Sequence, residues 1–190
     1  RAGPEQRILV DGIVPDEGAV DLKLSIRGFQ LGDIVRLGQS DLPLSGLLGV
    51  EARFTGTATS PILSGSAEFD RGAYHDTPIP DVRATFEYEN ELLGARAQLS
   101  RPGDSTARPV VLADAAVPLN LALRTTQPRL PDLPLQVNVD ADSLPIGLLG
   151  EFTDVVANVD GLAAGAMRVR GTARSPEFVG ALTLSNGSAL

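Results

Sequence analysis

The sequence predicts an all-β fold of many short antiparallel strands, and three observations carry that expectation. Apolar and polar residues alternate along most of the chain, which is the spacing of a strand with one buried face. A hairpin pattern of thirty residues is written twice, at Gly46 to His75 and again at Gly161 to Leu190. The 20 glycines and 14 prolines among 190 residues cut short every helical reading and suit strands joined by turns.

Taken in order, the chain opens with a short strand at Arg7 to Val14, followed after Pro15 to Gly18 by the run Ala19 to Arg27. Val20, Leu22, Leu24 and Ile26 face one way there, while Asp21, Lys23, Ser25 and Arg27 face the other, so one side is wet. Phe29 to Leu37 has the spacing of a single helical turn, too short to stand alone. Asp41 to Gly49 reads as a link broken by proline and glycine.

The first copy of the hairpin follows. The copies share ten of thirty residues without a gap: Gly46/Gly161, Leu47/Leu162, Arg53/Arg168, Gly56/Gly171, Thr57/Thr172, Ala58/Ala173, Ser60/Ser175, Pro61/Pro176, Gly65/Gly180 and Gly72/Gly187. Where identity is lost, apolar character persists at alternate positions, as in Ala52/Met167, Phe54/Val169, Leu63/Phe178, Ala67/Leu182 and Phe69/Leu184. Gly56 and Gly171 end the first strand where the chain must turn, and Pro61 and Pro176 open the second where a missing N–H is harmless. Inside the second strand, Gly65 and Gly180 are expected to mark a bulge or bend; the competing reading is close approach of another backbone or a ligand.

Between the copies, Val82 to Glu89 alternates, and Asn90-Glu91 turns the chain into a partner strand carrying Leu93, Ala95, Ala97 and Leu99. Arg101 to Thr106 is a polar loop. Pro109 to Leu123 gives one or two strands ending on Leu119, Leu121 and Leu123, and Thr125 to Leu133 is a second, proline-rich loop. Leu135 to Ala141 alternates again and corresponds to Leu22 to Gly28, which makes the homologous unit about 115 residues with a slip of two in its linker. Phe152 to Asp160 and Ala164 to Gly171 follow as strands. The chain is thus one continuous module, 1–190, of two related units, about 1–115 and an incomplete 116–190.

Composition narrows the function. A formal net charge of −8 with a single lysine leaves no basic stripe for phosphate backbones, so nucleic acid is not an expected partner. The absence of cysteine removes disulfides and thiolate metal sites and fits either the cytosol or a Gram-negative periplasm. Apolar runs such as Val110 to Ala113 fall far short of the ~20 residues that span a bilayer, and the start carries no signal peptide. The repeat runs to the last residue, so the chain is expected to be a piece of a longer one.

No catalytic site, metal site or cofactor is expected. His75, the one histidine, stands beside Asp76 in a turn and reads as a solvated loop residue. Asp140-Ala141-Asp142 starts like a calcium loop, but Leu144 replaces the next oxygen ligand and no glutamate closes it. Glu87 and Glu89 share the polar face of one strand, where a solvated face is the simpler reading than a glycosidase pair.

Strands with one apolar face must bring those faces together, as a closed barrel, a two-sheet β-sandwich or a long sheet folded over on itself. The motif G-L-x(5)-R-x-x-G-T-A-x-S-P bears on the choice. With its following alternating strand and closing glycine it resembles the C-terminal β-rich region of the TamB family, the translocation and assembly module within the AsmA-like group. Gly46, Leu47, Gly56, Thr57, Pro61, Gly65 and Gly72 carry the likeness, and again Gly161, Leu162, Gly171, Thr172, Pro176, Gly180, Asn186 and Gly187.

The resemblance implies a long antiparallel sheet folded into a U-shaped β-taco with an apolar groove, the alternative being the β-sandwich of an extracytoplasmic surface protein. It also implies a periplasmic location in a protein anchored to the inner membrane by a segment outside this chain. The implied partners are a TamA-like outer-membrane barrel and a cargo of phospholipid or nascent outer-membrane β-strands, with the groove serving outer-membrane biogenesis. Leu22, Leu24, Ile26, Phe54, Leu63, Phe69, Phe86, Leu121, Val137, Val139, Met167, Val169, Phe178, Leu182 and Leu184 are the residues expected to line it. The two outer strands of such a sheet are expected to promote edge-to-edge self-association.

Overall fold

The computed structural model describes residues 6–15, 18–31, 44–75, 77–104, 108–122, 126–145 and 159–189. Its named elements are all strands: β1 (Arg7–Ile13), β2 (Asp21–Gln30), β3 (Leu44–Gly56), β4 (Pro61–Tyr74), β5 (Thr77–Pro78), β6 (Asp81–Glu89), β7 (Leu92–Ser100), β8 (Val111–Pro118), β9 (Gln136–Pro145), β10 (Val159–Gly171) and β11 (Pro176–Ala189). They form a single antiparallel sheet in chain order, β1-β2-β3-β4-β6-β7-β8-β9-β10-β11, with the short β5 attached to β4 alone. The sheet does not close: among the described residues β1 and β11 are its outer strands, each paired on one side. One open sheet replaces the two-sheet alternative.

Local chemistry accounts for the turns. Gly56 and Gly171 both take φ of 85°, open to glycine without a Cβ penalty, and each begins the same four-residue loop. In the first, the Thr57 N–H donates to the Ser60 carbonyl at 3.1 Å and the Ser60 N–H to the Thr57 hydroxyl at 3.1 Å; Thr172 and Ser175 repeat this at 3.2 and 3.3 Å. Asn90 and Glu91 have φ of 52° and 59°, the doubly positive pattern of a two-residue hairpin turn between β6 and β7.

The repeat extends to the pairing register. Leu22 opposes Phe54 and Val137 opposes Val169; Leu24 opposes Ala52 and Val139 opposes Met167; Phe29 opposes Leu48 and Leu144 opposes Ala163. Each residue of the second set lies 115 positions after its counterpart in the first, so the linker contains no slip of two: Leu22 corresponds to Val137, not to Leu135. The irregularities are copied too, with register shifts between Ile26 and Phe29 and between Ser45 and Leu47 recurring at Ala163/Gly165 and Asp160/Leu162. These bulges lie toward one end of the strands, where they bend the sheet locally.

Several expectations change. The link expected at Asp41 to Gly49 is strand from Leu44 onward, paired with β4, because Gly46 sits in a bulge that bends the strand without ending it. Phe29 and Gln30 finish β2 and pair with Leu48 and Leu47; the rest of the expected helical turn, beyond Leu31, lies outside the described residues. Most of the strand expected at Phe152 to Asp160 also lies outside them. Gly65 and Gly180 are not bulges, since pairing runs through both without a shift. A Cβ on Gly65 would collide with the Glu51 carbonyl and stand 2.7 Å from the Phe86 ring, and one on Gly180 would stand 2.5 Å from the Ala166 carbonyl, so close backbone approach is the reason for both.

Among the described residues full burial is confined to the two ends of the strands. Val20, Tyr88 and Ala122 are buried at one end, and Val110, Val111 and Ala163 at the other. At the second end the buried Asp81 carboxylate accepts the Arg71 N–H at 3.1 Å and the Gly103 N–H at 3.0 Å, tying strand β4 to the loop after β7.

Exposed cross-strand pairs cover the polar face: Arg53 with Asp21 at 2.8 Å, Arg27 with Glu51 at 3.0 Å and Arg83 with Glu68 at 3.8 Å. Arg53 holds the Asp21 carboxyl below its usual range, and Ser25 followed by Arg27 does so for Glu51. Asp70 goes the other way, raised by burial and then by the neighbouring Asp81 and Glu68. A raised carboxyl binds its proton more tightly folded than unfolded, so its contribution is most favourable below the unfolded pKa and is lost as pH rises through the folded one. Asp70→Asn should therefore raise the thermal midpoint at pH 7 and leave it unchanged near pH 3. Equal gains at both pH values in a melting series would refute this.

Candidate apolar binding face

Two complete rows of side chains cross the sheet from edge to edge on one face. The first is Val10, Leu24, Ala52, Gly65, Phe86, Ala95, Ala115, Val137, Val169 and Phe178, each in register with the next. The second is Ile8, Ile26, Val50, Ala67, Ala84, Ala97, Ala113, Val139, Met167 and Gly180. Neither row contains a polar side chain. The row between them, pointing the opposite way, runs Leu9, Ser25, Glu51, Ser66, Thr85, Arg96, Asp114, Asn138, Arg168 and Val179, polar everywhere but at the two edges. Period-two alternation in each strand, held in register across ten strands, separates the two solvents of the sheet.

Fourteen of the fifteen nominated residues lie on this apolar face. Leu24, Phe86, Val137, Val169 and Phe178 fall in the first row, and Ile26, Val139 and Met167 in the second. Leu22, Phe54 and Leu63 form a line beside the first row that continues through Tyr88, Leu93 and Val117. Phe69 and Leu182 flank the second row, and Leu184 lies two residues beyond Leu182 opposite Ala163.

Leu121 is the exception. The strand expected there ends at Pro118, and residues 119–122 leave the sheet as a strap whose backbone is bonded to β6 and its turn rather than to a neighbouring strand. The Leu119 N–H donates to the Glu91 carbonyl at 2.9 Å and the Leu121 N–H to the Tyr88 hydroxyl at 3.0 Å. Leu121 still meets the apolar face, but from above.

The face is not filled by the protein's own atoms. Its central residues are half-buried, and toward the β11 edge Phe178, Leu182 and Leu184 are 66%, 60% and 59% exposed. In a sandwich core these positions would be shut from water. The middle of the face is shallow: Ala67, Ala84, Ala97 and Ala113 stand side by side on β4, β6, β7 and β8. Sequence reading passed over these alanines because it weighted large side chains, although their places in the alternation mark them as inward. Larger depressions, of about 540 and 580 Å³, lie mainly against the polar face and are lined by charged groups such as Arg96, Asp114, Lys23 and Glu51.

Comparison with family models, with curated proteins and with solved structures returns no match. The chemistry of the face must speak for itself. Among the described residues no group of three histidine, cysteine, aspartate or glutamate side chains is placed to hold a metal ion. His75 is exposed, its ring edge-on to Tyr74 at 4.9 Å between centroids. Glu87 and Glu89 are exposed on the polar face.

Proposed function

We propose that this chain is a β-taco segment of a TamB-like protein and that its apolar face carries phospholipid or nascent outer-membrane strands for outer-membrane biogenesis. The observation behind this reading is the pair of uninterrupted apolar rows, uncharged from β1 to β11 and open to solvent. Strands lie ~4.8 Å apart, so ten of them make a track on the order of 45 Å, longer than an acyl chain. Burying hydrocarbon returns roughly 25 cal/mol per Å², enough to retain a lipid without a specific headgroup contact. The small residues in the middle rows leave room for such a guest without displacing protein atoms.

On this reading the protein works in the periplasm, anchored to the inner membrane and partnered by a TamA-like barrel through other parts of the full-length molecule. Among the described residues the outer edges of β1 and β11 carry no strand partner, and such edges favour association between chains. Native mass spectrometry of protein purified from Gram-negative cells should show bound phospholipid at about one or more per chain. Protein that flies lipid-free, and takes none up from phosphatidylethanolamine vesicles, would remove the proposal.

A further inference from the structure

The strap does more than leave the sheet. Leu121 reaches over the end of β6 to the first hairpin, and together with Val14, Val20, Leu22, Phe54 and Pro61 it bounds a cavity of about 230 Å³. Among the described residues no charged side chain lines the cavity; the polar side chains there are Thr55 and Thr57, and the Thr57 hydroxyl is already engaged by the Ser60 N–H. Apolar cavities of ~150 Å³ stay dry and bind benzene, so this one is large enough for a hydrocarbon guest.

The strap that makes the cavity is held firmly. Besides the bonds to Glu91 and Tyr88, the Asn120 N–H donates to the Arg129 carbonyl at 2.8 Å, and the Ala122 N–H to the Asn120 side-chain oxygen at 3.0 Å. The Asn120 amide donates to Glu91 Oε1 at 3.1 Å, and the Arg129 guanidinium donates to the Asn120 carbonyl, also at 3.1 Å. Every N–H from Leu119 to Ala122 is therefore satisfied without a strand partner, which lets this backbone lie buried off the sheet. The device belongs to one repeat only: β8 precedes β9 as β1 precedes β2, yet their connection is 119–135 in the one and 14–20 in the other.

We infer that this cavity is a binding site for the end of a hydrocarbon chain, an end-stop at which the methyl terminus of a lipid tail is seated while its headgroup remains outside. Among the described residues a headgroup finds no charged or donor-rich partner here, whereas Leu22 and Phe54 continue from the cavity onto the apolar face. The identity of the guest as a lipid tail rests on the carrier reading; the cavity's affinity for hydrocarbon does not.

Benzene is the probe for the cavity alone. Titrated into the full chain and followed by methyl NMR, it should shift the Val14, Val20, Leu22 and Leu121 methyls saturably. Leu121→Trp, which fills the space, should weaken binding at least tenfold; Val14→Trp, at a side chain 55% exposed, is the second variant if the first does not fold. Absent shifts in the native chain, or undiminished binding in the folded filled variant, would overturn the site. A phosphatidylcholine spin-labelled at the chain terminus should then broaden the same methyls, and one labelled near the headgroup should not. Broadening by the headgroup label instead would overturn the end-stop. Benzene binding without any lipid binding would leave the cavity standing and sink the carrier reading.

Discussion

Val169→Asp should abolish phospholipid binding while leaving the β-sheet circular dichroism unchanged. Val169 lies in the first apolar row, between Val137 and Phe178, and is half-buried rather than enclosed. In the empty protein an aspartate there can reach water, so the sheet pays little for it. Under a bound acyl chain the same carboxylate is desolvated with no partner in its row, a penalty of several kcal/mol. A loss of about 3 kcal/mol in binding, more than a hundredfold in Kd, is the expected size. Filter binding of labelled lipid beside circular dichroism separates the outcomes: collapse of the fold would mean that the face is a packed core, and unaltered binding would mean that cargo lies elsewhere.

Gly65→Val should cost about 4 kcal/mol of stability, near the upper range for a point substitution. The added Cβ would strike the Glu51 carbonyl, and the Ala52 Cα would be 3.0 Å away, so strand β3 must move and not merely a side chain. Phe86, which lies over Gly65 from β6, would lose its seat as well. Against a typical total of 5–15 kcal/mol this is a large share. Urea unfolding measures it; a loss under 1 kcal/mol would show that the strands separate easily there. Gly180→Val meets the corresponding Ala166 carbonyl but lies on the exposed β11, so its cost should be smaller.

The contrast between these glycines bears on what could be read in advance. Alternation in Asp21 to Arg27, Val82 to Glu89 and Leu93 to Leu99 assigned both the strands and the face of each side chain, because a period of two leaves no freedom once one face avoids water. The duplicated hairpin was equally legible, down to its Thr-Ala-x-Ser-Pro loop. Leu119 and Leu121 misled because two apolar residues at alternate positions look like a strand end, while the contacts that pull them off the sheet come from Tyr88, Glu91 and Arg129, distant in sequence. Gly46 misled in the opposite sense: a glycine that punctuates loops also makes bulges within paired strands. The reason for Gly65 was hidden for a related cause, since the atoms it makes room for belong to β3 and β6.

The count of strands along the sheet has its own outcome. The described strands on its path number ten, which is even, so β1 and β11 run in opposite directions, and a second molecule laid with its first strand against the last strand of another meets it antiparallel and same side up. Such tiling would carry the oily track across the seam without a reversal, and its length would then be set by how many units are laid end to end.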